Sequence, residues 1–566
     1  MKRFRLVSPL VLVIAAVLIF AACDNQQNVA ESAVQGQMTQ ATQETGITEA
    51  GEATVVSPGP LGRYDPPITV TSVRWDVAAG VQDLIPDGDS VDNNAWTRAF
   101  YNHLGVILEY DWIVPADQYD QRFGLAVASG DLPDVLNVNM TQLRLLMDND
   151  MLADLTNVFQ NYASTQTYDI IMQDGGSAIR TATFNDRLMA IPQTDSITDG
   201  AQVIWIRQDW LNELSLSTPQ TIDELIDVAA AFVDADLSGR GTFGFGVHQG
   251  ALIGYSGWAD VAGFFYGYHA HFDGWIRDDA GNLVYGGVQP QTRVVLKRLS
   301  DLFQMGLIDP EFGIKDSGMI GEDAAAGRIG IVYGAMWNPL WPLNMSKDAD
   351  ADADWISIPM VSVDNQPAVD LLSNPVDLYM VVNRNFANPE AAVRMINLWT
   401  DLFFGMDTDH TVYGGELHHL NPFKVWTPTK NIDIHLNVTE ALRTGDFANF
   451  DAETMLMYEH VSGWLDGNDD TLSWGYYLVF GPNGSQGILN QIFRDRAWVF
   501  DEFFGPPTPT MVNRQAILND LKEETFMRIV MGVAPIDEFD VFVEQWHNLG
   551  GAEITEEVNA WFQSLQ

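Results

Sequence analysis

The chain has a single cysteine, Cys23, in 566 residues. That excludes an intramolecular disulfide framework and a cysteine-rich zinc site. Positive charge is also scarce: 29 Lys+Arg stand against 76 Asp+Glu, a formal net charge of −47. Nucleic acid is excluded as a partner, because phosphate binding needs clustered Lys and Arg. Apart from one N-terminal run, no segment is long and apolar enough to span a membrane as a helix. Catalytic frames are missing too. His418 and His419 lack an H-E-x-x-H setting, and Ser256 in GYSGW misses G-x-S-x-G by one position. What is present is bulk: 46% of residues are hydrophobic, enough for large cores and incompatible with a disordered acidic chain. The length suggests three to four domains or two large ones. The 17 Trp, 16 Tyr and 29 Phe suffice for a stacking surface as well as for core packing.

The N-terminus is an address. Lys2, Arg3 and Arg5 precede an apolar run from Leu6 to Phe20, and Ala21, Ala22 and Cys23 close it. This is the layout of a signal peptide over 1–22. The segment resembles the lipobox of bacterial lipoproteins, in which such a cysteine is lipidated and becomes the new N-terminus. It departs from that pattern at Phe20, where leucine is usual. Two or three acyl chains at Cys23 would hold the protein on the outside of the cell membrane, which one chain could not. Residues 23–65 follow, polar and nearly free of aromatics, and read as a disordered tether.

From Pro66 the pattern is that of folded protein. Ile68 to Trp75 alternates as a strand, Asn93 to Leu104 has helical spacing, Val106 to Trp112 is a strand, Tyr119 to Ser129 a helix and Asp134 to Val138 a strand. That alternation is the grammar of an α/β fold with mostly parallel sheets. Thr218 to Val233 reads as a helix capped by Thr218 with Pro219 in its first turn. The last third is mainly helical.

Four blocks carry a family resemblance: LAVASGDLPDVLNVN (125–139), IWIRQDWLNELSLSTPQTIDELIDVAAAF (204–232), AAAGRIGIVYGAMW (324–337) and PIDEFDVFVEQWHNLGGAEITEEVNAWF (535–562). In this order they resemble bacterial extracellular solute-binding proteins of family 1, in particular lipoprotein members that serve carbohydrate ABC transporters. The resemblance implies an α/β, two-lobe periplasmic-binding-protein fold of type II with a helical C-terminal region. One lobe would comprise 66–203 plus about 378–445, the other 204–377 plus about 446–566. It also implies a monomer that closes on a sugar or oligosaccharide between the lobes and hands it to an ABC permease, with no catalysis and no cofactor. Two other classes stay open on the residues alone. One is a secreted glycosidase, which would need two carboxylates facing the cleft. The other is a surface sensor on the same scaffold.

Sugars are held by flat apolar faces and planar polar groups, and in open α/β sheets ligands sit beyond the carboxyl ends of strands. That rule selects Trp75 and Asp76 after the first strand, Asn137 and Asn139 at the third, and Arg207 near a crossing. The family resemblance adds Trp258, Tyr266, Trp337 and Asn338 on the second wall. Ser373 and Asn374 precede the return strand, and Trp474, Tyr476 and Tyr477 are expected in a Gly-flanked aromatic loop. Asp234, Asp236 and Ser238 retain part of an EF-hand-type calcium pattern, one residue short, and read mainly as a surface turn. Gly239, Gly241 and Gly244 follow a helix and so fail the dinucleotide context. His269, His271 and Asp273 read as polar packing. The acid excess disfavours anionic ligands such as uronates, unless a local arginine pocket overrides it.

Overall fold

The computed structural model describes residues 54–55 and 59–563, apart from positions 78, 83, 174, 374, 375, 406, 407 and 414. The signal peptide, Cys23 and Asn374 lie outside the described residues. So does most of the expected tether, but its last part is folded. Tyr64 is 1% exposed and donates to Glu390 (2.8 Å). The buried Arg394 donates to the Gly62 carbonyl (2.8 Å), and Asn397 to that of Pro60 (2.8 Å). A buried guanidinium and amide need acceptors, and the chain ahead of Pro66 supplies them.

The first core gathers apolar residues from 64–191 and 379–425. Its strands are β1 (Ile68–Trp75), β2 (Val106–Val114), β3 (Val135–Val138) and β4 (Ile191–Thr194). β1 and β2 pair in parallel. Asp134 ties β1 to β3, its carboxylate accepting from the Thr71 amide (2.9 Å) and hydroxyl (3.0 Å).

The second sheet contains β5 (Val203–Arg207), β6 (Phe243–Phe245), β7 (Trp258–Asp260), β8 (Ile329–Gly334) and β9 (Trp355–Ile358). β5 alternates between two cores. Ile204 and Ile206 pack on one side with the C-terminal helices, while Val203 and Trp205 face the other. Helices between Lys430 and Asp495 cover that other face, and those between Pro509 and Gln563 the first.

The expected mostly parallel pairing holds for β1–β2, for β6–β8 and for Asp370–Leu372 with Trp498–Phe500. Elsewhere the sheets are mixed, because strands that cross between the lobes enter from the opposite direction. β11 (Val376–Val382), returning from β10 (Asp370–Leu372), runs antiparallel to both β3 and β4. β5 runs antiparallel to β8 and β9. The chain leaves the first core after Trp426 and joins the core that holds Val203 and Trp205 with Ile432. The helix expected from Thr218 begins at Ile222, because the Thr221 side chain takes the Glu224 amide (3.2 Å).

Candidate functional site

Three segments join the lobes, and they lie side by side. Val376 pairs with Thr194 at the start of β11. The Trp426 amide donates to the Thr194 carbonyl (3.0 Å) and the Ile197 amide to that of Pro428 (3.0 Å). Asn431 then donates to Asp199 (2.6 Å). This connecting ribbon corresponds to the hinge expected of a two-lobe fold.

Asp199 is an ionisable group within it. Burial lifts its carboxyl to about 6, against the pull of nearby Lys430. Burial works against the charge of Lys430, yet Glu453 (2.7 Å), Asp199 and Asp451 carry it above its ordinary value. His419 is pushed down to about 4 by burial and then by Lys424, Arg74 and Lys430, so it is neutral at pH 7. Arg74 joins this group by donating to the carbonyls of His419 (3.0 Å) and Leu420 (2.9 Å).

The carboxyl ends of strands meet this hinge from both lobes. In the first lobe the Trp75 ring packs edge-on against Tyr119 (5.1 Å), whose hydroxyl donates to the Asn137 carbonyl (2.9 Å). The end of β1 is thus held beside the end of β3, and Trp75 and Asp76 stay partly exposed there. Asn139 is exposed, but its side chain caps the helix Met140–Asp148 by accepting from the Gln142 amide (2.9 Å).

In the second lobe two carboxylates shape an aromatic loop. Asp260 is 1% exposed and accepts from the amides of Ser256, Gly257 and Ala262 and from Gln202 (2.8–3.1 Å). Asp273 accepts from the Tyr255 amide (2.9 Å). His248 takes the Gly250 amide on Nδ1 (3.0 Å), so its Nε2–H donates to Ser256 (2.9 Å). The loop brings Tyr255 to Trp337. A Cβ on Gly257 would lie 3.0 Å from the Trp337 ring and 3.4 Å from the Tyr255 hydroxyl. Trp337 in turn stacks on Trp341 at 6.4 Å between ring centroids. Tyr255 is 39% and Trp341 45% exposed, so the cluster presents aromatic faces to solvent. Sequence reasoning found Trp337 and missed its two partners. Tyr255 sits in the same GYSGW segment as Trp258, and Trp341 stands one helical turn after Trp337.

Other predicted residues are committed to the fold. Trp258 is 1% exposed and donates to Ser317 (3.1 Å), and Tyr266 and Trp474 are equally buried. Asn338 is fully buried and donates to the Gly257 carbonyl (3.0 Å), which fixes the aromatic loop from behind. Arg207 is held by Asp209 (2.5–2.7 Å) and lies over Trp210. Asn137 donates to the Pro422 carbonyl and accepts from Gln193, each at 2.6 Å. The aromatic loop expected around Trp474 and Tyr476 is helix Thr471–Phe480, started by Asp470 capping Ser473 (2.8 Å). There Tyr476 stacks on His460 (4.7 Å). In the calcium-like turn Asp236 accepts from Gly241 (3.0 Å) and Thr242 (2.9 Å), and Ser238 from Arg240 (3.2 Å). Asp234 is exposed, and no metal-holding group of three His, Cys, Asp or Glu occurs among the described residues.

A second interlobe surface lies against the same hinge. It is a groove of about 1630 Å³ with Ile197, Pro428 and Thr429 as its floor. One wall comes from helix Met140–Asp148 and residues 173–187, the other from Arg277, residues 493–506, Trp561 and Phe562. Neither the Tyr255–Trp337–Trp341 cluster nor Asp199 and Lys430 line it.

The family model for "bacterial extracellular solute-binding protein" matches residues 83–401. Lipoprotein LipO of Bacillus subtilis (strain 168) is 22% identical over 254 residues, 44% of this chain and 48% of LipO. The fructooligosaccharide ABC transporter substrate-binding protein FusA of Streptococcus pneumoniae serotype 4 is 26% identical over 141 residues, 23% of this chain and 26% of FusA. The chain thus aligns with about half or less of the length of these curated relatives. A solved structure, an "HMO binding ABC-transporter associated solute binding protein" of Bifidobacterium longum infantis ATCC 15697, superposes with a TM-score of 0.59 at 16% identity. It covers 88% of this chain and 98% of its own.

Proposed function

Because the chain belongs to the bacterial extracellular solute-binding proteins, we propose that it captures a sugar or oligosaccharide between its two lobes and delivers it to an ABC permease. The observation that carries this reading is the exposed Tyr255–Trp337–Trp341 cluster at the carboxyl ends of second-lobe strands, next to a three-segment hinge. Aromatic faces stack on the C–H surfaces of sugar rings. A ligand that bridges both lobes favours the closed arrangement by its extra contacts there, and a permease reads the difference. The role is binding without turnover and needs no cofactor. FusA is named for fructooligosaccharides, which supports a carbohydrate ligand here.

LipO is named a lipoprotein, which supports lipidation at Cys23 and attachment to the outer face of the cell membrane. Among the described residues no helix is long and apolar enough to cross a membrane. The test is a thermal-shift screen of the full chain against neutral mono- and oligosaccharides. A ligand at about 100 times its dissociation constant adds roughly 2.7 kcal/mol. A shift that persists with the sugar unconsumed supports capture. Consumption of the sugar would overturn it in favour of an enzyme.

A further inference from the structure

The groove beside the hinge has a charge opposite to that of the chain. Among the described residues six arginines line it, Arg144, Arg180, Arg187, Arg277, Arg494 and Arg496, against three carboxylates, Asp148, Asp501 and Glu502. The whole chain has only 29 Lys+Arg, so about a fifth of its cations are gathered here. Two of the arginines are matched. Arg277 forms a two-bond pair with Glu502 (2.8 Å each), and Arg144 lies 3.8 Å from Asp148. Arg180, Arg187, Arg494 and Arg496 form no ion pair among the described residues. Arg180 donates to Gly175 and Ser177, and Arg494 to Asn490.

The backbone holds these cations toward the groove in unusual ways. Arg187 follows a two-residue turn, Asn185–Asp186, with both residues at positive φ (50° and 59°). That geometry makes a tight hairpin and puts Arg187 beside Phe184. Arg496 ends helix Ser485–Asp495 in the left-handed region (φ 52°, ψ 42°). Glycine is the ordinary residue there, because a side chain crowds the backbone in that conformation. The aromatic side chains of Phe184, Trp498, Phe504 and Trp561 line the same groove.

We infer that this groove is a second binding site, for an oligosaccharide bearing carboxylates. Guanidinium forks match carboxylates in plane and charge, and aromatic faces between them match the sugar rings that carry those carboxylates. Phosphate alone would use the forks and leave the aromatic faces idle. Since the walls belong to different lobes, occupancy here is linked to the angle between them. The inference does not rest on capture of a neutral sugar at the Trp337 cluster.

The test is calorimetric titration of the full chain with tetragalacturonate, with neutral maltotetraose and with tripolyphosphate, at low and at 0.3 M salt. The comparison variants are Arg187→Gln/Arg496→Gln, one exposed arginine from each lobe, and Trp337→Ala. The expected result is tetragalacturonate binding at least tenfold tighter than maltotetraose binding. It weakens tenfold or more in the arginine double variant and at high salt, and is unchanged in Trp337→Ala. Four results would overturn the inference: no tetragalacturonate binding, equal affinity for both tetrasaccharides, binding insensitive to the arginines, or tripolyphosphate binding as tightly as the acidic sugar.

Discussion

Two surfaces share one hinge and differ in almost everything else. The strand-end surface combines exposed aromatic rings with Asp76, Asp199 and a neutral His419. The groove combines aromatic rings with arginines. A net charge of −47 describes neither, because a ligand feels the charges within about a Debye length, roughly 8–10 Å. Global acidity and local recognition are separate properties, and the groove carries a local charge opposite to that of the whole chain.

The sharpest way to break this comparison is at Asp370. Burial pushes its carboxyl up to about 8, and Oδ2 has no hydrogen-bond partner among the described residues. It stands between the surfaces: its Oδ1 takes the Gln202 amide (2.9 Å) at the hinge, and its strand pairs with Trp498–Phe500 of the groove. A raised carboxyl pKa means the folded state holds a proton that the unfolded state has lost. Its contribution is therefore fully present below about pH 4 and is lost as pH rises to about 8, by up to about 1.4 kcal/mol per pH unit. Urea titrations should show stability falling over this window, and Asp370→Asn should flatten the slope by the largest amount of any single carboxyl change.

Next in size is the double variant Tyr255→Ala/Trp337→Ala. It removes two ring faces and should weaken neutral-sugar binding ten- to a hundredfold, about 1.4–2.8 kcal/mol, with acidic-sugar binding unchanged. Parallel losses for both ligands in calorimetry would merge the two surfaces into one site.

Arg496→Gly should move two quantities in opposite directions. Relief of the left-handed strain adds up to about 1 kcal/mol to unfolding free energy, while acidic-sugar affinity falls several-fold. The smallest effect is pH-dependent binding in the groove. Burial lifts Asp501 to about 6, so between pH 7.5 and 5.5 it gains a proton while a uronate stays ionised. Acidic-sugar affinity should rise two- to threefold over that interval. Asp501→Asn should abolish the rise.

Much of the fold was legible because it is written in local patterns. Ile68–Trp75 alternates apart from the break at Thr71–Ser72 and is a strand at those bounds. Pairing direction was not legible: whether β11 meets β3 parallel or antiparallel depends on a crossing that local periodicity does not encode. Of the residues named at the candidate site, Trp75 and Asp76 came from strand-end logic and Trp337 from the family resemblance, and all three stay partly exposed. Trp258 and Tyr266, also named from the resemblance, and Trp474 are buried, since a tryptophan that stacks on sugar and one that fills a core look alike in sequence. The groove was least legible of all. Its six arginines come from segments more than 300 residues apart, and only the folded chain brings them together.

That same interleaving has a consequence for biogenesis. The first core is closed by residues 379–425, and Arg74 finds its acceptors at His419 and Leu420. The second core waits for helices that end at Gln563. The first lobe cannot complete until residues up to Val425 are present, and the second not until the last helix is. Most of the chain must therefore be synthesised before either lobe locks, which leaves its aromatic-rich strands in need of protection until the closing segments arrive.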